Sequence, residues 1–239
     1  MTETVTTVRV DTPDGRIDAL LGRPDGVTAQ QGPRPGVVVV HDAAGISADN
    51  EAIVARVAAA GYVALAPNLY SRGGRARCIT RVFRELLAQQ GRVFDDLLAT
   101  RDHLVALPEC SGAVAIAGFC MGGQFALLLG AGNFGAAAPF YGVPLPKNLD
   151  DLLDVSCPIV ASYGRRDPLG RGAPEKLASA VRAKGVPADI KVYPQAGHSF
   201  ANRLPAQPLL RVTGFGYDDA ATEDAWRRVF AFFDAHLPA

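Results

Sequence analysis

Short apolar runs of strand length alternate with stretches of helical length over most of this chain, and that alternation restricts the fold more than any single residue does. Val37-Val38-Val39-Val40 is a continuous β-branched run, the pattern of a strand buried on both faces, and a helical segment follows from about 49 to 60. Strand 62–66, helix 93–107, strand 114–117, helix 122–129, strands 136–140 and 159–163, helix 174–183, strand 190–193 and a last helix from about 222 to 236 continue the pattern. Repeated βα units predict an α/β fold, a mostly parallel central sheet with helices on both faces. Ahead of them, Thr4 to Arg9 and Ile17 to Leu21 alternate in strand fashion about Asp11-Thr12-Pro13-Asp14-Gly15, which predicts an N-terminal antiparallel hairpin. A Pro/Gly-rich connector spans 23–35.

The 239 residues are 49% hydrophobic, enough for one substantial core, so a single domain over 1–239 is expected. The formal charge is zero, which argues against a nucleic-acid partner or an anionic membrane surface and leaves small molecules. Glu3, Arg9 and Asp11 interrupt the N-terminus, leaving no apolar block for a secretory signal, and a cytoplasmic protein is expected. Residues 113–132 approach membrane-span length, but five glycines and Gln124 make them read as strand, turn and helix. Cys78, Cys110, Cys120 and Cys157 have neither metal-ligand nor disulfide spacing, so no metal is expected and each is read as a free thiol. Composition does not fix whether the protein is a monomer or a small homo-oligomer.

Ligands on such sheets bind beyond the carboxyl ends of the strands, which singles out His41-Asp42, Cys120, Asp167 and His198. Gly118-Phe119-Cys120-Met121-Gly122-Gly123 lies between the apolar runs 114–117 and 125–129 and has the form of a nucleophile elbow. Small residues two before and two after the nucleophile let strand and helix approach closely enough for the sharp turn. At a helix N-terminus, free amides and the positive dipole end favour a thiolate and can bind an oxyanion, and Met121 N–H is the first donor expected. A partner amide is expected near Ala43, and each such donor is typically worth roughly 3 kcal/mol.

Asp167 follows the strand that ends in Tyr163, and His198 follows the strand that ends in Tyr193. Nucleophile, acid, histidine is the chain order of an α/β-hydrolase, so Cys120, Asp167 and His198 are expected to form a triad. A thiolate is itself a good leaving group, so a tetrahedral intermediate bearing a poor alkoxide or amine collapses backwards. The expected reaction is therefore hydrolysis of an activated ester or lactone through an acyl-cysteine. A broader esterase or thioesterase, and a non-hydrolytic binding or redox-sensing protein on the same fold, are the alternatives.

These residues resemble the dienelactone hydrolase (carboxymethylenebutenolidase) family within the α/β-hydrolases. The matching pieces are the 118–123 segment, Gly197-His198-Ser199-Phe200-Ala201, Ala66-Pro67-Asn68-Leu69-Tyr70 and Phe140-Tyr141-Gly142-Val143. The resemblance implies the same triad and cofactor-free opening of an unsaturated lactone. It also implies a glutamate after the first long strand that activates the cysteine; here the position offers Asp42, which could equally be a loop or capping residue beside a structural His41. Family arginines that bind a substrate carboxylate correspond to Asn202, with Arg203 one residue on, and to Arg81 or Arg84, with Arg72, Arg75 and Arg77 as alternatives. Tyr70 and Phe200, inside matching segments, are expected substrate contacts, and the insert 68–92, read as helical from 79 to 90, is expected to cover the site.

Overall fold

β-branched and small apolar residues on the predicted strands form the strands of the structure, a computed structural model that describes residues 5–24, 32–205 and 213–237. The expected connector 23–35 lies largely, and Glu3 and Thr4 wholly, outside the described residues. The chain packs as two compact units, Met1–Ile116 with Leu237–Ala239, and Ala117–His236.

In the first unit, β1 (Thr6–Thr12) and β2 (Gly15–Gly22) form the predicted antiparallel hairpin, with Thr6 opposite Leu21 and Thr12 opposite Gly15. β2 also pairs antiparallel with β4 (Val63–Pro67), and β3 (Arg34–Val40) lies parallel to β4. Val37 to Val40 are fully buried, as an uninterrupted β-branched run requires. Helix α1 (Ala48–Ala59) buries Ile53, Val54, Val57 and Ala58. α2 (Gly74–Ala88) begins five residues before the expected helix in the insert, and α3 (Arg92–Val105) follows it closely.

Arg72, in the turn before α2, anchors this unit. Its guanidinium pairs with Asp96 of α3 at 2.7 and 2.9 Å, and donates to Gly15 O at 2.8 Å and to Thr12 Oγ1. The Asp96 side chain is 2% exposed, so its charge depends on Arg72 for compensation. Arg72→Met is expected to lower the unfolding free energy by roughly 3 kcal/mol by stranding Asp96, while Arg72→Met/Asp96→Leu recovers most of the loss. Urea denaturation of the two variants measures this.

β5 (Cys110–Phe119) runs from the first unit into the second. There, α4 (Met121–Leu129) is buried along its whole length, and β6 (Ala136–Phe140), β7 (Ile159–Gly164) and β8 (Ala188–Tyr193) are parallel neighbours. α5 (Leu149–Leu153) and α6 (Ala173–Lys184) pack Leu149, Leu153, Leu177 and Val181 around Tyr163 and Val143. α7 (Asp219–His236) brings Trp226 against Phe119 and Phe140, with ring centroids 6.1 and 5.2 Å away. The fold is mixed α/β, with the parallel strand pairs and N-terminal hairpin that the sequence predicts. Residues 113–132 resolve into strand, turn and helix, and among the described residues no helix is long and apolar enough to cross a membrane.

Candidate active site

Cys120 follows β5 directly and caps α4, at φ 55 and ψ −114. A positive φ is unfavourable for a residue with a Cβ, and the surrounding backbone holds it there: Cys120 N–H donates to Phe140 O at 3.1 Å, and Cys120 O accepts Gln124 N–H at 3.2 Å. Gly118 makes the turn sterically feasible, since a Cβ there would lie 2.0 Å from Gly122 O. Among the four cysteines, Cys78 and Cys110 are buried, and burial pushes the Cys157 thiol up to about 12. Cys120 is half-buried at the head of a helix.

His198 and Asp167 meet across 31 residues, with His198 Nδ1 donating to Asp167 Oδ2 at 2.8 Å; both side chains are essentially inaccessible. Asp167 Oδ1 accepts Leu169 N–H at 2.7 Å, so each carboxylate oxygen has a fixed partner. The segment bearing His198 is clamped to residues 214–216, with His198 N–H donating to Gly214 O at 2.7 Å and Gly216 N–H to His198 O at 3.0 Å. Gly197 permits that approach, because a Cβ there would sit 2.0 Å from Gly214 O.

Burial alone would lower the His198 pKa, but the hydrogen bond to Asp167, the Cys120 sulfur and the charges of both carry it up to about 9. His198 Nε2 itself is buried without a hydrogen bond of ordinary geometry. The Cys120 sulfur thus acts on the imidazole electrostatically, while His198 Nε2 has no hydrogen-bond partner among the described residues, as catalytic groups often lack before substrate binds.

His41 is of a different kind. Fully buried beside Tyr70, it donates from Nδ1 to Asp42 O at 2.6 Å and accepts Leu69 N–H at Nε2 at 3.2 Å, which fixes a neutral tautomer. Burial lowers its pKa to about 4, against an ordinary 6.5. The unfolded chain therefore binds a proton between these values that the folded one does not. Stability is fully present above about pH 6.5 and falls by about 3 kcal/mol as pH drops toward 4. His41→Gln is expected to flatten that part of the acid limb in urea titrations run from pH 7 to pH 4.

Asp42 Oδ1 accepts Ala44 N–H at 2.7 Å, a turn-stabilising contact. The Ala43 peptide is held through its carbonyl by Tyr70 Oη at 3.2 Å and Arg75 Nε at 3.0 Å. Tyr70 is buried, and Phe200 is wholly enclosed by Phe140, Tyr141 and Tyr193. Asn202 is 2% exposed and accepts the Tyr141 hydroxyl. Arg203 turns outward, stacking on the Tyr217 ring at 4.2 Å and donating to its hydroxyl at 3.0 Å. Arg81 pairs with Glu85 at 3.7 Å along α2, and Arg84 is exposed. The Tyr141–Asn202 bond was not legible in sequence: 61 residues separate partners that share no local pattern.

The family model for the dienelactone hydrolase family matches residues 17–237. A Yersinia pestis protein provisionally assigned as a carboxymethylenebutenolidase is 32% identical, the alignment covering 92% of this chain and 84% of that one. A Rhodococcus opacus carboxymethylenebutenolidase is 28% identical over 84% of this chain and 81% of its own. Among solved structures, a dienelactone hydrolase-like promiscuous phosphotriesterase from metagenomic libraries superposes with a TM-score of 0.83 at 26% identity, covering 98% of this chain and 99% of its own. With its mixed α/β fold and the elbow at Cys120, the chain belongs to the dienelactone hydrolase family of α/β-hydrolases, enzymes that cleave small-molecule esters and lactones.

Proposed function

We propose that this chain hydrolyses activated esters or lactones through a Cys120–His198–Asp167 triad and an acyl-cysteine intermediate. The observation that carries the reading is the buried 2.8 Å Asp167–His198 bond, together with Cys120 held at positive φ at the head of α4. The Cys120 thiolate attacks the acyl carbon, and Met121 N–H, first in the helix after Cys120, is suited to receive the developing oxyanion. The tetrahedral intermediate then breaks its C–O bond, and His198 imidazolium gives its proton to the departing oxygen. Water next attacks the thioester with His198 as base; the C–S bond breaks, releasing the acid and regenerating the thiolate–imidazolium pair.

A thiolate competes with the leaving oxygen for expulsion, so enol and phenol esters or enol lactones are the favoured substrates. Arg72, Arg75, Arg81 and Arg203 each contact groups of the protein itself, while Arg77 and Arg84 are exposed.

The test is a panel of phenyl, vinyl and ethyl esters of one short acid, together with small lactones. The expected order is phenyl and vinyl esters far ahead of ethyl, with the acyl-cysteine trapped by acid quench and located on Cys120 by mass spectrometry. Equal turnover of the ethyl ester would sink the activated-substrate reading.

A further inference from the structure

We infer that Tyr141 and Asn202 form a buried pair that positions the His198 imidazole against Cys120. The inference rests on the triad reading above.

One bond, from Nδ1 to Asp167, leaves an imidazole free to swing about its own axis. Two rings limit that freedom. Tyr141 lies on one side with its centroid 5.0 Å away and tilted by 56°, and Phe215 approaches edge-on at 5.3 Å. Tyr141 is itself held in an unfavourable conformation, at φ 39, by a 2.8 Å bond from its N–H to Ser162 O. Its hydroxyl donates to Asn202 Oδ1, and both residues are buried.

Asn202 stands four residues after His198, in a turn closed by its own N–H to Ser199 O at 3.0 Å. The Tyr141–Asn202 bond therefore ties the segment that carries the base to the end of β6. Phe140, one residue before Tyr141, accepts the Cys120 N–H. Nucleophile and base are thus both referenced to two adjacent residues at one strand end. Loss of the Tyr141–Asn202 bond frees one side of that reference, and misplacement by about 1 Å can cost on the order of 100-fold in rate. Asn202 acts here as a positioning residue, through Tyr141 and its turn, instead of touching substrate.

Tyr141→Phe keeps the ring and removes only the hydroxyl; Asn202→Leu removes the acceptor at similar volume. Each is assayed on a phenyl ester between pH 5 and 10, beside the double variant and Cys120→Ala. Expected are a kcat loss of roughly 10- to 100-fold with KM changed less than about threefold, an alkaline limb of kcat/KM moved below that of the parent, and a double variant no worse than the poorer single one. Thermal melting of Tyr141→Phe shows whether the fold is kept. A lowered melting temperature with kcat and the alkaline limb unmoved overturns the inference and leaves a merely structural bond. Retention of activity by Cys120→Ala overturns the triad reading itself, a result separable from any behaviour of Tyr141→Phe.

Discussion

Cys120→Ala is expected to lower kcat/KM for a phenyl ester by roughly four to six orders of magnitude, with the fold intact. The side chain is small and only half-buried, so its truncation opens little space, whereas its sulfur is the group that acts on the His198 imidazole. Cys120→Ser is the more informative companion. The hydroxyl keeps its place at the φ 55 turn, so geometry is retained while leaving-group chemistry changes. An alkoxide is expelled less readily than a thiolate, so a tetrahedral intermediate formed on serine does not favour return. Both phenyl and ethyl ester turnover should fall, but the ethyl-to-phenyl ratio should rise. A parallel loss of both, with the ratio constant, would remove leaving-group partitioning as the basis of specificity.

Asp167→Asn is expected to reduce kcat by about 10⁴-fold. Asp167 offers one oxygen to Leu169 N–H and the other to His198 Nδ1–H. An asparagine has a single oxygen; if it keeps the Leu169 bond, its NH₂ faces Nδ1 and stabilises the tautomer with the proton on Nε2, pointing the wrong way. The pH profile carries a second signature. His198 titrates near 9 because the hydrogen bonds and charges of Asp167 and Cys120 outweigh burial, so imidazolium is present below about pH 9 and is lost above it. Activity that needs the imidazolium as proton donor must therefore fall as pH rises through about 9. Removing the Asp167 charge leaves Cys120 alone to oppose burial and moves that limb to lower pH. An alkaline limb unchanged in Asp167→Asn would show that His198 does not govern it.

The parts of the protein readable in the sequence are those set by local pattern. Val37 to Val40 announced a buried strand because four β-branched side chains tolerate little else, and the glycines around Cys120 announced a turn that a Cβ at Gly118 would obstruct. Cys120, Asp167 and His198 could be picked out because each lies within a few residues of the end of an apolar run. Less was legible where no pattern exists. α5 has five residues, too few to show a helical period. α2 starts at Gly74 in an Arg/Gly-rich stretch with no side-chain cap to mark it. β5 begins at Cys110, where Ser111 and Gly112 hide the strand. The arginines of the insert could not be sorted by spacing, since Arg72 is engaged by Asp96, 24 residues away on another helix, and Arg75 by the Ala43 carbonyl. The bond between Asn202 and Tyr141 was hidden for the same reason: the partner lies far off in the chain.

The contact between Gly197 and Gly214 is main chain against main chain, with no space for even a methyl group. Selection for new substrates works by exchanging side chains, and at this junction there is none to exchange. A saturation library over positions 197 and 214 should therefore yield almost no active clones, whereas one over exposed Arg84 and Leu87 should yield many. The setting of the histidine would be inherited almost unaltered by any variant that survives, and new specificities in this scaffold would arise around a fixed acid–base unit.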